Sequence, residues 1–136
     1  MANRWLAVGA IAAGLGVAAG AFGTHALADR LPVDLLDVFA TGARYHLLHS
    51  LALLVVGLAT DRGTEPRLWN LAGWLFTAGI LVFAGSLYTL ALTGAHWLGA
   101  LTPVGGLCFL VGWGVVAVAA LRDPGKRPGG PRAAGA

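Results

Sequence analysis

At 136 residues, 57% hydrophobic and 11% charged, the chain holds one domain and carries less than half the roughly 25% charged residues of a soluble one. That balance, with a mean hydropathy of +0.76 and 21 glycines, marks an integral membrane protein. The net charge of +3 does not point to nucleic acid, because the basic residues flank the apolar runs instead of lining one module. The one cysteine, Cys108, excludes an intrachain disulfide and a thiolate metal cluster.

Trp5 to Phe22 carries no charge. As a helix it reaches about 27 Å at 1.5 Å per residue, enough for a bilayer core of about 30 Å, so a first span is predicted over residues 5–22. Gly9, Ala13, Gly16, Gly20 and Gly23 recur at steps of four and three, which predicts one small-residue face, with Gly16 and Gly20 as a GxxxG pair. Such a face admits a close neighbour, inside the chain or across a homo-oligomer. Arg4, the apolar run and Ala26-Leu27-Ala28 also fit a cleavable secretory signal. The run exceeds the roughly 7–15 residues of a signal's apolar region, so a retained anchor is expected.

Gly23 to Leu31 reads as a short polar link. Pro32 then suits a first helical turn, and Asp34 and Asp37 suit the positive end of the helix dipole. One long helix is predicted from there to about Ala59. Its first third (Leu35, Leu36, Val38, Phe39) is expected as an interfacial extension, followed by the second span over residues 42–59. On a 3.6-residue wheel Gly42, Tyr45, His46, His49 and Leu53 share one side, with Arg44 nearly opposite and snorkelling to the headgroups.

Thr60 to Arg67 is a charged loop. The third span covers residues 68–92, with Trp69, Trp74 and Tyr88 placed as interfacial belts. After an uncharged link over residues 93–101, Thr102 and Pro103 read as an N-cap and a first helical residue. The fourth span follows over residues 103–121, with Gly105, Cys108 and Gly112 on one face. Residues 123–136 (DPGKRPGGPRAAGA) are predicted to be a disordered basic cytoplasmic tail. The fold class is therefore all-α, a polytopic four-transmembrane-helix bundle over residues 1–122.

Four crossings put both termini on one side, with Arg4, Arg62, Arg67, Arg122, Lys126, Arg127 and Arg132, against Arg30 and Arg44 on the other. The positive-inside rule then places both termini in the cytoplasm, with the protein in the plasma membrane. In this topology His25, Tyr45, His49, Ser86, Tyr88 and Thr102 collect near the outer surface as a candidate polar pocket, with His96 close by.

Several of these stretches together resemble a known family. Gly20-Ala21-Phe22-Gly23-Thr24-His25-Ala26-Leu27 is similar to the GAFGAHxL signature of the domain-of-unknown-function 423 family, which includes proteins similar to transmembrane protein 256. Thr41-Gly42-Ala43-Arg44-Tyr45 with His49-Ser50-Leu51-Ala52 resembles its second motif, Gly85-Ser86-Leu87-Tyr88 its third, and Thr102-Pro103-Val104-Gly105-Gly106 through Gly112-Trp113 its fourth. The match spans about residues 5–121. Thr24 departs from the family's alanine and Ala84 from a common serine, and His46 and His96 fall outside the motifs. The resemblance implies a small multi-span membrane protein and no particular activity.

Three readings of the polar residues follow. As interhelical hydrogen-bond glue they imply a structural or interaction role. As a small-molecule, proton or ion pathway they would exploit the near-neutral titration of histidine, although no Asp, Glu, Lys or Arg lies deep in a span. As a metal site, His25, His46 and His49 would have to converge. There is no Ser-His-acid set, phosphate-cradling glycine loop or intramembrane carboxylate pair, so no enzymatic activity and no cofactor are expected. The expected partner is the lipid bilayer, together with further copies of the chain through the glycine faces.

Overall fold

The computed structural model describes residues 3–62 and 65–122. The tail predicted over residues 123–136, and Gly63 and Thr64 of the charged loop, lie outside the described residues. Among the described residues every regular element is helical, and four helical stretches are long and apolar enough to cross a membrane.

Helix α1 (Arg4–Phe22) is capped by Asn3, whose side-chain oxygen accepts from the Trp5 and Leu6 amides at 3.1 and 3.2 Å, which satisfies two of the otherwise orphaned first N–H groups. The helix does not stop at Phe22. It runs on as a π-helical turn over Gly23–Leu27, so the polar link predicted from Gly23 shrinks to residues 28–32. Thr24 looked like a break, yet its hydroxyl donates to the Gly20 and Ala21 carbonyls at 3.0 and 3.1 Å. A threonine bonded back onto its own helix needs no water, which is why it continues the span.

Helix α2 (Val33–Arg62) starts where the Leu36 amide donates to the Pro32 carbonyl at 2.9 Å. It runs past the expected end at Ala59, with the Thr60 hydroxyl donating to the Val56 carbonyl at 2.7 Å. The charged loop predicted over residues 60–67 therefore loses residues 60–62 to α2, and Pro66 and Arg67 to the next helix. Its first third has an inward face: Phe39 is 4% exposed, packed with Leu27 and Ala91. Arg44 is exposed, as its place on the wheel implied.

The third span has three parts: α3 (Pro66–Gly79), a π-helical turn over Ile80–Ala84, and α4 (Gly85–Thr93). It ends on Gly94, whose φ of +70° lets its amide donate back to the Leu90 carbonyl at 2.8 Å. A short 3-10 turn (His96–Ala100) leads into α5 (Thr102–Arg122). Thr102 is itself the first residue of α5, not its N-cap. The Val104 and Gly105 amides donate to the Leu101 carbonyl, which leaves the Thr102 hydroxyl free to face a neighbouring helix.

The spans lie in the order α1, α2, third span, α5, with α1 held mainly by α2 and α5 by the third span. The glycines explain these approaches. A Cβ at Gly9 would stand 2.9 Å from Leu54, at Gly16 3.3 Å from Leu47 and at Gly23 3.1 Å from Phe39, all on α2. Gly105 receives Phe83, and a Cβ at Gly112 would stand 2.7 Å from Phe76. Gly20 departs from expectation: a Cβ there would meet nothing within 4 Å. The packing face of α1 therefore follows steps of seven (Gly9, Gly16, Gly23), and the GxxxG pairing of Gly16 with Gly20 does not describe it. Leu53, Val56, Ala72 and Phe76, each at 0% exposure, fill the core between α2 and the third span.

One end of the bundle is tied by Asn3, whose side-chain amide donates to the Gly57 carbonyl at 2.6 Å. At the same end Arg4 and the Trp5 indole both donate to Asn70 Oδ1 at 2.7 Å, and Trp69 and Ala119 are buried in the same core. Leu27, Phe39 and Ala91 meet at the other end. The four crossings are therefore antiparallel. Trp74 is exposed, edge-on to Trp5 at 5.3 Å. Trp69 and Tyr88, read above as interfacial belts, turn inward instead: Trp69 into the core and Tyr88 onto His46.

Candidate functional site

The polar residues are distributed over three separate contacts instead of one pocket, and His25 joins none of them. It lies exposed on the π-helical turn after α1, and His96 is exposed in its own short turn.

The first contact joins α2 to α4. Gly42 has no side chain, so the Tyr88 ring lies against α2 there; a Cβ at Gly42 would stand 3.1 Å from it. The Tyr88 hydroxyl reaches His46 Nδ1 at 3.1 Å, and His46 is buried. One turn further on, the fully buried Ser50 hydroxyl donates to the His46 carbonyl at 2.7 Å. His46 also borders a cavity of about 260 Å³ between α1, α2 and α3 with Ala12, Leu53, Thr77 and Ile80.

The second contact joins α4 to α5. The Ser86 and Thr102 hydroxyls lie 3.0 Å apart, and Ser86 donates to the Phe83 carbonyl at 2.9 Å.

The third contact joins α2 to α5 and centres on His49, 2% exposed. Its Nδ1 lies 2.8 Å from the Tyr45 carbonyl one turn earlier. A carbonyl only accepts, so Nδ1 carries the proton. Its Nε2 accepts from the Trp113 indole N–H at 3.2 Å. Both partners assign the same neutral tautomer, since an indole N–H only donates. The His49 ring stacks on Phe109 with centroids 3.5 Å apart and planes 7° apart. Tyr45 continues the aromatic wall, 4.7 Å from Phe83 and 6.3 Å from Phe109. Beside this wall runs a groove of about 630 Å³ between α2 and α5, lined by Tyr45, Leu48, His49, Phe83, Phe109 and Trp113 among others.

Chemically, His49 has no lone pair left for a metal, and a second proton on Nε2 would face the Trp113 N–H donor to donor. His46 and His49 turn toward different neighbours, Tyr88 and Trp113. His25 joins neither contact, so the three histidines do not converge here. Among the described residues no three His, Cys, Asp or Glu side chains gather.

Sequence reasoning placed His46 on the inward side of α2 without assigning it a partner. It assigns no hydrogen-bond partner to Trp113 or Asn70 either. Trp113 stands one turn after Phe109 at the end of the fourth motif, but nothing in its own segment identifies the partner of its indole.

Comparison with known proteins adds the lineage. A family model described as "Protein of unknown function (DUF423)" matches residues 19–106. The UPF0382 membrane protein YwdK of Bacillus subtilis is 43% identical over 118 residues, covering 87% of this chain and 96% of the relative. A UPF0382 membrane protein of Staphylococcus epidermidis is 43% identical over 121 residues, covering 89% and 98%. No solved structure matches the chain significantly. With the motifs in order, four antiparallel spans and relatives aligned over nearly their whole length, the chain belongs to the DUF423 family of uncharacterised integral membrane proteins.

Proposed function

We propose that this protein serves a non-catalytic structural or interaction role in the plasma membrane, with both termini in the cytoplasm. The observation that carries this reading is where the polar side chains are spent. His46 with Tyr88, His49 with Trp113, and Ser86 with Thr102 each tie one helix to another. Hydrogen bonds of this kind in membrane proteins are worth about 0.6 kcal/mol on average, enough to hold a register when several act together. The fully buried Leu53, Val56, Ala72 and Phe76 close the middle of the bundle, where a pathway would need room and water. The cytoplasmic assignment rests on Arg4, Arg67 and Arg122 at the tied end of the bundle, opposite Arg30 and Arg44. Gly9, Gly16, Gly23, Gly105 and Gly112 are already used within the chain, so contact between copies falls to the outward faces.

The test is reconstitution into sealed vesicles loaded with a pH-sensitive dye and challenged with proton and potassium gradients. The expected result is a leak equal to that of protein-free vesicles, for the native chain and for His49→Ala alike, while His49→Ala melts earlier in detergent. A flux abolished by His49→Ala would overturn the proposal in favour of a translocation pathway.

A further inference from the structure

The groove between α2 and α5 is walled by residues of both helices and by Phe83. It runs beside α5 from Pro103 to Trp113, ten residues or about 15 Å at 1.5 Å per residue. Its axis follows the helices, along the direction in which lipid chains lie. One end starts at the first turn of α5, on the side of the bundle where Arg44 is exposed, and the other ends on an indole three turns deeper. Gly106 is bare on one wall: a Cβ there would come no nearer than 3.9 Å to Phe83. Leu48 borders the opposite wall from α2. Besides the Tyr45 phenol, the titratable side chain in the lining is His49, whose two nitrogens are both engaged. The lining is therefore hydrocarbon and ring faces, with a single free polar group. The Tyr45 hydroxyl has no hydrogen-bond partner among the described residues, although its ring is fixed against Phe83.

We infer that this groove is a binding site for one hydrocarbon chain of a bilayer lipid, held along α5 between Tyr45 and Trp113, with the Tyr45 hydroxyl donating to an ester or carbonyl oxygen at the chain's headgroup end. The occupant follows from the surroundings. The groove opens sideways from two membrane-spanning helices, where hydrocarbon is the solvent, and a hydroxyl at the shallow end of an apolar slot matches a molecule that is polar at one end only. The aromatic wall supplies broad, rigid contact area at little conformational cost. This inference stands apart from the role proposed above, since a vesicle leak would leave it intact.

The test uses the full chain in dodecylmaltoside micelles, titrated with phosphatidylcholine carrying a 9,10-dibromostearoyl chain. Bromine quenches indole fluorescence on contact, and Trp113 at the deep end is the reporter in a chain whose exposed Trp74 and Trp97 are replaced by phenylalanine. The expected result is a saturable quenching component at one lipid per protein. Gly106→Leu should weaken it about tenfold or more, a change of about 1.4 kcal/mol per factor of ten, because the added side chain occupies the slot. Far-UV circular dichroism checks that the variant is folded. If Gly106→Leu does not fold, Leu48→Phe narrows the groove from the half-exposed opposite wall and should produce the same loss. Tyr45→Phe should weaken the component without removing it. Linear, unsaturable quenching in the native chain, or a saturable component untouched by either groove-filling variant, overturns the inference.

Discussion

Replacing His49 and Trp113 singly and together measures the α2–α5 contact directly. His49→Ala removes the acceptor of the 3.2 Å indole bond and the ring stacked 3.5 Å from Phe109. Interhelical hydrogen bonds in membranes average about 0.6 kcal/mol, with a maximum near 1.7. An aromatic stack contributes about 0.5–1.5 kcal/mol beyond its area. The substitution should therefore cost roughly 1–3 kcal/mol. Trp113→Phe keeps a ring and removes only the donor, so its cost should be close to the bond alone. The informative quantity is the coupling in the double-mutant cycle, expected at about 0.6–1.7 kcal/mol. Reversible unfolding in mixed micelles of rising dodecyl sulfate content, followed by far-UV circular dichroism, provides all four free energies. Strict additivity, with coupling indistinguishable from zero, would refute the His49–Trp113 bond as the tie between these helices, even if His49→Ala alone proved destabilising.

Two further outcomes separate the glycine and histidine positions that the sequence treats alike. Gly16→Leu should split α1 from α2, because even an added Cβ would stand 3.3 Å from Leu47, whereas Gly20→Leu has open space and should leave the unfolding free energy within about 0.5 kcal/mol of native. Equal effects of the two would contradict the seven-residue packing face. His25→Ala should be similarly silent in a thermal melt, since that side chain is exposed, while Tyr88→Phe should lower stability by about 0.6 kcal/mol through loss of the 3.1 Å contact with His46. The reverse order would show that the buried pair had been misassigned.

How much was legible in the residues beforehand differs from element to element. The four spans, the continuity of α2, the inward side of α2 carrying Gly42, His46 and His49, and the exposure of Arg44 all follow from one helix read alone. They depend on apolar length and on a period of 3.6, both local quantities. Gly23–Leu27 was missed as helix because a Gly-Thr-His run looks like a break in water, whereas in this span Thr24 satisfies its hydroxyl on the Gly20 and Ala21 carbonyls. The six-residue polar pocket failed for another reason. Reading each helix alone gathered those residues on one half of the bundle, but it specifies neither direction nor exact level: Thr102 meets Ser86 at the first turn of α5, whereas His49 meets Trp113 three turns further along.

Direction is set between helices. The π-helical turn at Ile80–Ala84 shifts the face of α4 relative to α3, and no hydropathy pattern announces such a shift. Bare glycines then decide which partner comes close: Gly42 admits the Tyr88 ring, and Gly105 admits Phe83. Composition and periodicity by themselves determined that this chain crosses a bilayer four times and which stripe of each helix is small or polar. Only the tertiary structure decided that His46 turns to Tyr88, that His49 turns to Trp113 and that His25 is left outside. Those pairings depend on contacts between residues 42 and 64 positions apart in the chain, which the local forces that shape a single helix do not reach.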